Sequence, residues 1–181
     1  LTVNYKSNII KNYFKDGKNF GANIKYIEEE KQLGTGGSLS LINNENFETV
    51  IVINGDVLVN LDYQKLIDNH NNCGDLVTIC VRKFKYQIPF GVIKSDMNSK
   101  IIDIDEKPIY NYFVNSGIYA LSPETIKMIP KNKYFDLPDI YKILKDKNRQ
   151  CNMLEIDDYW QDIGVPEIYN KIKNTFDYYN I

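Results

Sequence analysis

Two short acidic signatures lie far apart in this chain: Asn54-Gly55-Asp56 directly after an apolar run, and Trp160-Gln161-Asp162-Ile163-Gly164 near the end. Each places a lone carboxylate where backbone turns away from a buried strand, and in an α/β fold ligands bind at the carboxyl ends of strands. Two such aspartates can meet on one metal ion and one phosphate. Oxygen-only ligation suits Mg2+, which takes one or two carboxylates and completes its shell with water and substrate phosphates. Taken singly, each acid also suits a plainer role, Asp56 as a solvated turn residue and Asp162 as a helix-capping acid beside a core tryptophan.

Three further segments carry usable chemistry. Leu33-Gly34-Thr35-Gly36-Gly37-Ser38-Leu39 is a glycine-rich turn entering a helix. Missing side chains let backbone approach a flat or anionic ligand there, and helix N–H groups point outward. The same glycines suit a tight connection with no ligand, and their spacing is neither the Walker A nor the dinucleotide fingerprint. Asp105-Glu106-Lys107-Pro108 follows a short strand and is stiffened by proline. A lysine there can serve as a point charge for a phosphate, and the glutamate can accept hydrogen bonds from sugar hydroxyls; adjacent loop charges are also commonly just solvated. In Val114-Asn115-Ser116-Gly117-Ile118-Tyr119 the Asn115 amide falls in a strand that could bury it, so it needs partners inside the protein or on a ligand. His70, the single histidine, is expected on a surface helix and receives no catalytic role.

The elements that must position these groups alternate. Helical spacing begins near Asn4–Phe14, Ile24–Ile27 reads as a strand, and Thr49–Ile53 is the continuous apolar run of a central parallel strand. Leu61–His70 has helical spacing with Asp62 as N-cap, and Leu76–Val81 reads as the next strand. From Phe90 to Leu121 the pattern changes to short strands and turns, an antiparallel insertion beside the main sheet. Helices follow at about 123–129 and 138–145, then a strand near Met153–Ile156 and a last helix from Pro166. The expected fold is α/β, a Rossmann-like mostly parallel sheet flanked by helices.

Composition narrows the partners. With 181 residues, 43% hydrophobic and 25% charged, the chain suits one globular domain over residues 1–181. A net charge of -2 offers no basic excess for nucleic acid, and no apolar stretch approaches the roughly 18 residues of a membrane span. Small-molecule partners in a cytoplasm are expected, with Cys73, Cys80 and Cys151 as reduced thiols.

Taken in order, Leu33-Gly34-Thr35-Gly36-Gly37, Asn54-Gly55-Asp56, Pro89-Phe90-Gly91-Val92-Ile93, Glu106-Lys107-Pro108, Val114–Tyr119 and Tyr159–Gly164 resemble the motifs of the sugar-1-phosphate nucleotidyltransferases, the pyrophosphorylases that make nucleotide sugars. The wording is most similar to the mannose-1-phosphate guanylyltransferase-like branch. The resemblance implies the nucleotide-diphospho-sugar transferase fold and transfer from a nucleoside triphosphate, GTP favoured, to a sugar 1-phosphate with release of pyrophosphate. It implies Mg2+ held by Asp56 and Asp162, and a catalytic Lys107 on the sugar phosphate. Leu33, Gly34, Thr35, Gly36 and Gly55 would contact the nucleotide, and Gly91, Glu106, Asn115 and Gly117 the sugar. It also implies a first strand and a glycine-rich phosphate loop with arginine and lysine. That segment is not among these residues, so the fold is expected to be N-terminally incomplete, with exposed apolar edges that favour homo-oligomers. Gly36 and Phe90 stand where alanine and tyrosine are common in the family. A non-catalytic sugar-nucleotide-binding subunit or fragment, and a metal-dependent glycosyltransferase, are the alternatives; the second usually has an Asp-x-Asp motif, which Asp56-Val57-Leu58 lacks.

Overall fold

In the computed structural model, which describes residues 1–42 and 47–176, the elements in chain order are β1 (Thr2–Val3), α1 (Ser7–Phe14), β2 (Ile27–Glu28), α2 (Gly34–Gly37), β3 (Val50–Ile53), β4 (Val57–Val59), α3 (Tyr63–Cys73), β5 (Val77–Gln87), β6 (Val92–Ser95), β7 (Ile101–Asp105), β8 (Ile109–Leu121), α4 (Pro123–Ile126), α5 (Ile140–Asp146), β9 (Asn152–Glu155), β10 (Trp160–Asp162) and α6 (Pro166–Phe176). The four-stranded sheet has the order β3-β8-β5-β9. β1 pairs with β2 in parallel, while β4–β10 and β6–β7 are antiparallel ribbons. The architecture is the expected mixed α/β one with a mostly parallel central sheet; of the antiparallel insertion expected over Phe90–Leu121 only β6–β7 forms one, and the strand expected near Val114–Ala120 belongs to β8 of the four-stranded sheet instead.

The chain forms two compact units. Leu1–Asn54, Tyr63–Thr78 and Tyr119–Asn152 make the first; Gly55–Asp62, Ile79–Ile118 and Met153–Ile181 make the second. The first holds most of the core. Leu33, Leu66, Val77, Leu121, Leu137, Ile140 and Leu144 are buried almost completely, each contributing about 1.5–3 kcal/mol by leaving water. The second unit buries Cys80, Val81, Ile118 and Ile156, and leaves Phe84, Ile93, Ile102, Ile104 and Phe113 exposed.

Three further expectations are corrected. The apolar run at Thr49–Ile53 forms β3, but among the described residues β3 ends the sheet order and is only half-buried, with Ile53 40% exposed. A continuous apolar run signals strand structure; it does not report whether a neighbour lies along both edges. His70 does lie on the expected helix, α3, but its side chain is 2% exposed. It faces Thr78 and Ser122 instead of solvent. Finally, β5 runs six residues beyond Val81 and β8 starts five before Val114. The added halves are mostly exposed, and their interleaved charges and aromatics hide the pattern of a buried strand.

Candidate active site

The two acidic signatures meet on one ribbon of the second unit. In β4–β10, Trp160 lies opposite Val59, Gln161 opposite Leu58 and Asp162 opposite Val57. Backbone bonds extend the pairing at both ends, Asn60 N–H to the Tyr159 carbonyl at 3.0 Å and Ile163 N–H to the Asp56 carbonyl at 2.8 Å. Asp162 therefore ends its strand directly across from the residue after Asp56. The two carboxylates come together on a local antiparallel ribbon and not at two strand ends of the main sheet.

Gly164 completes the arrangement. Its N–H donates to Asp162 Oδ1 at 2.8 Å, an Asx-type turn that orients the carboxylate. A Cβ at Gly164 would lie 2.9 Å from Asp56 Oδ2 and 3.2 Å from Asp162 Oδ1. Both carboxylates thus border the space beside a bare Cα. Among the described residues neither acid ion-pairs with a basic side chain, and no cluster of three or more His, Cys, Asp or Glu side chains forms a metal cage. Two oxygen donors beside a cradle that a single methyl group would fill fit a hard cation completing its shell from phosphates and water.

Interactions with β5 and β8 hold the ribbon. Trp160 Nε1–H donates to the Ser116 carbonyl at 2.8 Å, and Ser116 Oγ–H donates to the Cys80 carbonyl at 2.8 Å. The Arg82 guanidinium lies 5.9 Å from the Trp160 ring centroid and donates to the Asp158 carbonyl at 2.9 Å. Trp160 is half-buried, which matches its two characters: an apolar ring and one N–H needing an acceptor.

The other second-unit candidates sit on the insertion and on β8. Lys107 occupies the turn between β7 and β8 with φ of 46°, a left-handed backbone costing about 1–2 kcal/mol for a residue with a Cβ. Its Nζ is 4.0 Å from Glu106 Oε1, and its side chain is exposed. Glu106 Oε2 would be 3.0 Å from a Cβ on Gly91, so the glutamate rests against that bare backbone. Asp105 is engaged by Lys94 at 2.7 Å. Asn115 Oδ1 accepts the N–H of Gly117 at 3.0 Å, and Gly117 has φ of 75°. Gly55 is open, with nothing within 4 Å of a Cβ there. The structure brings Asp56 together with Asp162, and Gly91 with Glu106 and Lys107. Among the described residues no ion pair links Lys107 to the aspartates.

The glycine-rich turn, in the first unit, departs from its expected geometry. Its N–H groups do not point outward: Gly36 and Gly37 donate to the Phe135 carbonyl at 2.9 and 3.0 Å, and Thr35 donates to Asp136 Oδ1 at 3.2 Å. The chain's own segment occupies the close-approach space. A Cβ on Gly34 would lie 2.7 Å from the Phe135 oxygen, one on Gly36 3.0 Å from Leu137 Cα, and one on Gly37 2.5 Å from the Lys133 oxygen. Leu33 is a core side chain, 1% exposed. The tight-connection reading accounts for these glycines, because nothing in sequence showed that residues 133–137 return to this turn.

Sequence reasoning named Gly164 only as part of a motif and missed Arg82 altogether. The spacing Asp162-x-Gly164, that of an Asx turn, was the available signal for the first; Arg82 has none.

The family described as nucleotidyl transferase matches residues 1–177. The chain belongs to the nucleotidyl transferase family. The chain is 31% identical over 195 residues to the UTP–glucose-1-phosphate uridylyltransferase of Synechocystis sp., covering 97% of this chain and 50% of the relative. It is 33% identical over 178 residues to the D-glycero-α-D-manno-heptose 1-phosphate guanylyltransferase of Campylobacter jejuni, covering 93% of this chain and 74% of the relative. Among solved structures, HddC from Yersinia pseudotuberculosis matches with a TM-score of 0.69 at 27% identity, covering 97% of this chain and 77% of that one. The same protein complexed with GMP-PN matches at 0.67. The chain spans about half the length of several curated relatives it matches. Among the described residues, no helix is long and apolar enough to cross a membrane.

Proposed function

We propose that the protein transfers a nucleotidyl group, from GTP by preference, to a sugar 1-phosphate, forming a nucleoside diphosphate sugar and pyrophosphate. The observation that carries the reading is the meeting of Asp56 and Asp162 at Gly164. A sugar-phosphate oxygen attacks the α-phosphorus in line and pyrophosphate leaves. The attacking oxygen is already ionised at neutral pH, so no general base is required, and no role falls to His70. The obstacle is bringing two anions together, which at about 4 Å repel by ~1 kcal/mol in water and ~4 kcal/mol at an effective dielectric of 20.

A divalent cation, Mg2+ by preference, supplies positive charge on the triphosphate when bound. Asp56 and Asp162 hold it. Lys107, carried out into solvent by its left-handed turn, provides a point charge for the sugar phosphate. Glu106, resting against Gly91, receives sugar hydroxyls, with Asn115 and Gly117 on β8 as further sugar contacts. Gly55, with nothing within 4 Å of a Cβ there, serves the nucleotide. The guanine preference draws on the heptose 1-phosphate guanylyltransferase relative and the GMP-PN complex of HddC; uridylyl- and thymidylyltransferases are among the other matches.

Pyrophosphate release is the direct assay, with GTP, UTP or dTTP against heptose, mannose or glucose 1-phosphate. Turnover fastest with GTP is expected. Release of free nucleoside diphosphate in place of pyrophosphate would transfer the site to glycosyl-transfer chemistry.

A further inference from the structure

We infer that Gly164 sets the spacing of the Asp56 and Asp162 carboxylates and thereby restricts the pair to a small divalent cation, an inference that rests on the metal-assisted reading above. Two independent features of one residue produce the effect. The N–H of Gly164 holds Asp162 Oδ1 at 2.8 Å, which fixes one carboxylate relative to the backbone. Its bare Cα admits the other: Asp56 Oδ2 would be 2.9 Å from a Cβ at this position, and Asp56 Cγ 3.7 Å. Real Cβ atoms do not approach oxygen so closely, so any side chain at 164 displaces one carboxylate or both.

Backbone strain does not explain the glycine. Gly164 is not among the residues of positive φ, unlike Gly34 or Gly117. Its requirement is space, and that space is bordered by carboxylate oxygens on two sides. The ribbon gives little freedom to relieve a clash, because the Ile163 N–H bond to the Asp56 carbonyl fastens the two segments immediately beside it. A methyl group would therefore separate the carboxylates by rotating them, not by opening the backbone. Mg2+ needs oxygens at about 2.0–2.1 Å in near-octahedral geometry, whereas Ca2+ accepts about 2.3–2.6 Å and irregular shells. Wider spacing should cost the smaller ion more.

The test uses the whole chain with Mn2+ alone as an EPR probe and Mg2+ or Ca2+ as competitor, together with thermal unfolding in EDTA. Gly164→Ala is expected to weaken Mn2+ binding by about 10–100-fold, to shift competition toward Ca2+, and to leave the metal-free unfolding midpoint unchanged. Undiminished Mn2+ binding by Gly164→Ala, with binding lost in Asp56→Asn, overturns the role of Gly164 and leaves the metal reading standing. Undiminished binding by both Asp56→Asn and Asp162→Asn overturns the metal reading itself. Should Gly164→Ala lower the metal-free midpoint, adding Asp56→Ala removes the oxygen that the methyl meets. Recovery of the midpoint then supports the steric account, and failure to recover refutes it.

Discussion

The carbonyl of Asp56 accepts the N–H of Ile163 at 2.8 Å, one residue beyond Asp162, so a single backbone bond ties the neighbourhoods of two acids separated by more than a hundred positions. Asp56→Asn and Asp162→Asn keep the side-chain shape and remove the charge. Each should lower kcat/KM by about 100-fold or more, the rate equivalent of roughly 3 kcal/mol of lost charge stabilisation. Neither should shift the unfolding midpoint by more than a degree or two, because both side chains are exposed and such changes stay within about 0.5 kcal/mol. Pyrophosphate release and a thermal melt on the same samples separate the two effects.

Trp160→Phe retains an aromatic ring but leaves the Ser116 carbonyl without its donor. The expected loss is about 1–3 kcal/mol in urea unfolding. Because the same bond holds β10 against β8, KM for the metal–nucleotide should rise more than kcat falls. A double-mutant cycle with Arg82→Gln should show coupling of about 0.5–1 kcal/mol, the scale of an exposed cation–π contact; additive effects would detach Arg82 from the ribbon.

Gly37→Ala should destabilise the chain by about 1–3 kcal/mol, since the added Cβ would stand 2.5 Å from the Lys133 backbone oxygen. Gly55→Ala, with open space around it, should stay within about 0.5 kcal/mol. The contrast is read from denaturant midpoints. Equal stability of the two variants would return the glycine-rich turn to a purely ligand-binding explanation.

His70 provides a pH signature. Burial pushes its imidazole below the ordinary value of 6.5, with the charge of Asp75 acting weakly the other way, and its ring nitrogens are 2.9 Å from Thr78 Oγ1 and 3.1 Å from Ser122 Oγ. A base whose folded pKa is depressed binds fewer protons folded than unfolded, so stability rises with pH in that window. The contribution is complete above about 6.5 and is lost as pH falls toward the lower folded value. Urea midpoints between pH 7.5 and 5 should decline, and His70→Gln should flatten that part of the decline.

Much of the fold was legible because its signals are local. Apolar periodicity marked α3, Pro166 opens α6 as expected, and the short-strand texture after Phe90 marked the β6–β7 insertion. The burial of His70 was hidden, since a histidine on an amphipathic helix has the same sequence context whether hydroxyls or water lie beyond it. The half-buried, terminal position of β3 was hidden for a related reason: hydrophobicity records what a strand can bury and not which neighbour arrives.

The sequence by itself determined the family, through the order of its motifs, and it named both carboxylates and the turn bearing Lys107. Only the tertiary structure decided that β4 and β10 pair, that Asp56 and Asp162 share the space beside Gly164, and that the Gly34–Gly37 turn is filled by the chain's own residues 133–137. Residue type and spacing along a chain specify which groups can do chemistry. Their convergence depends on backbone hydrogen bonds between segments a hundred residues apart, and those bonds carry no side-chain signature, because every residue but proline offers the same donor and acceptor.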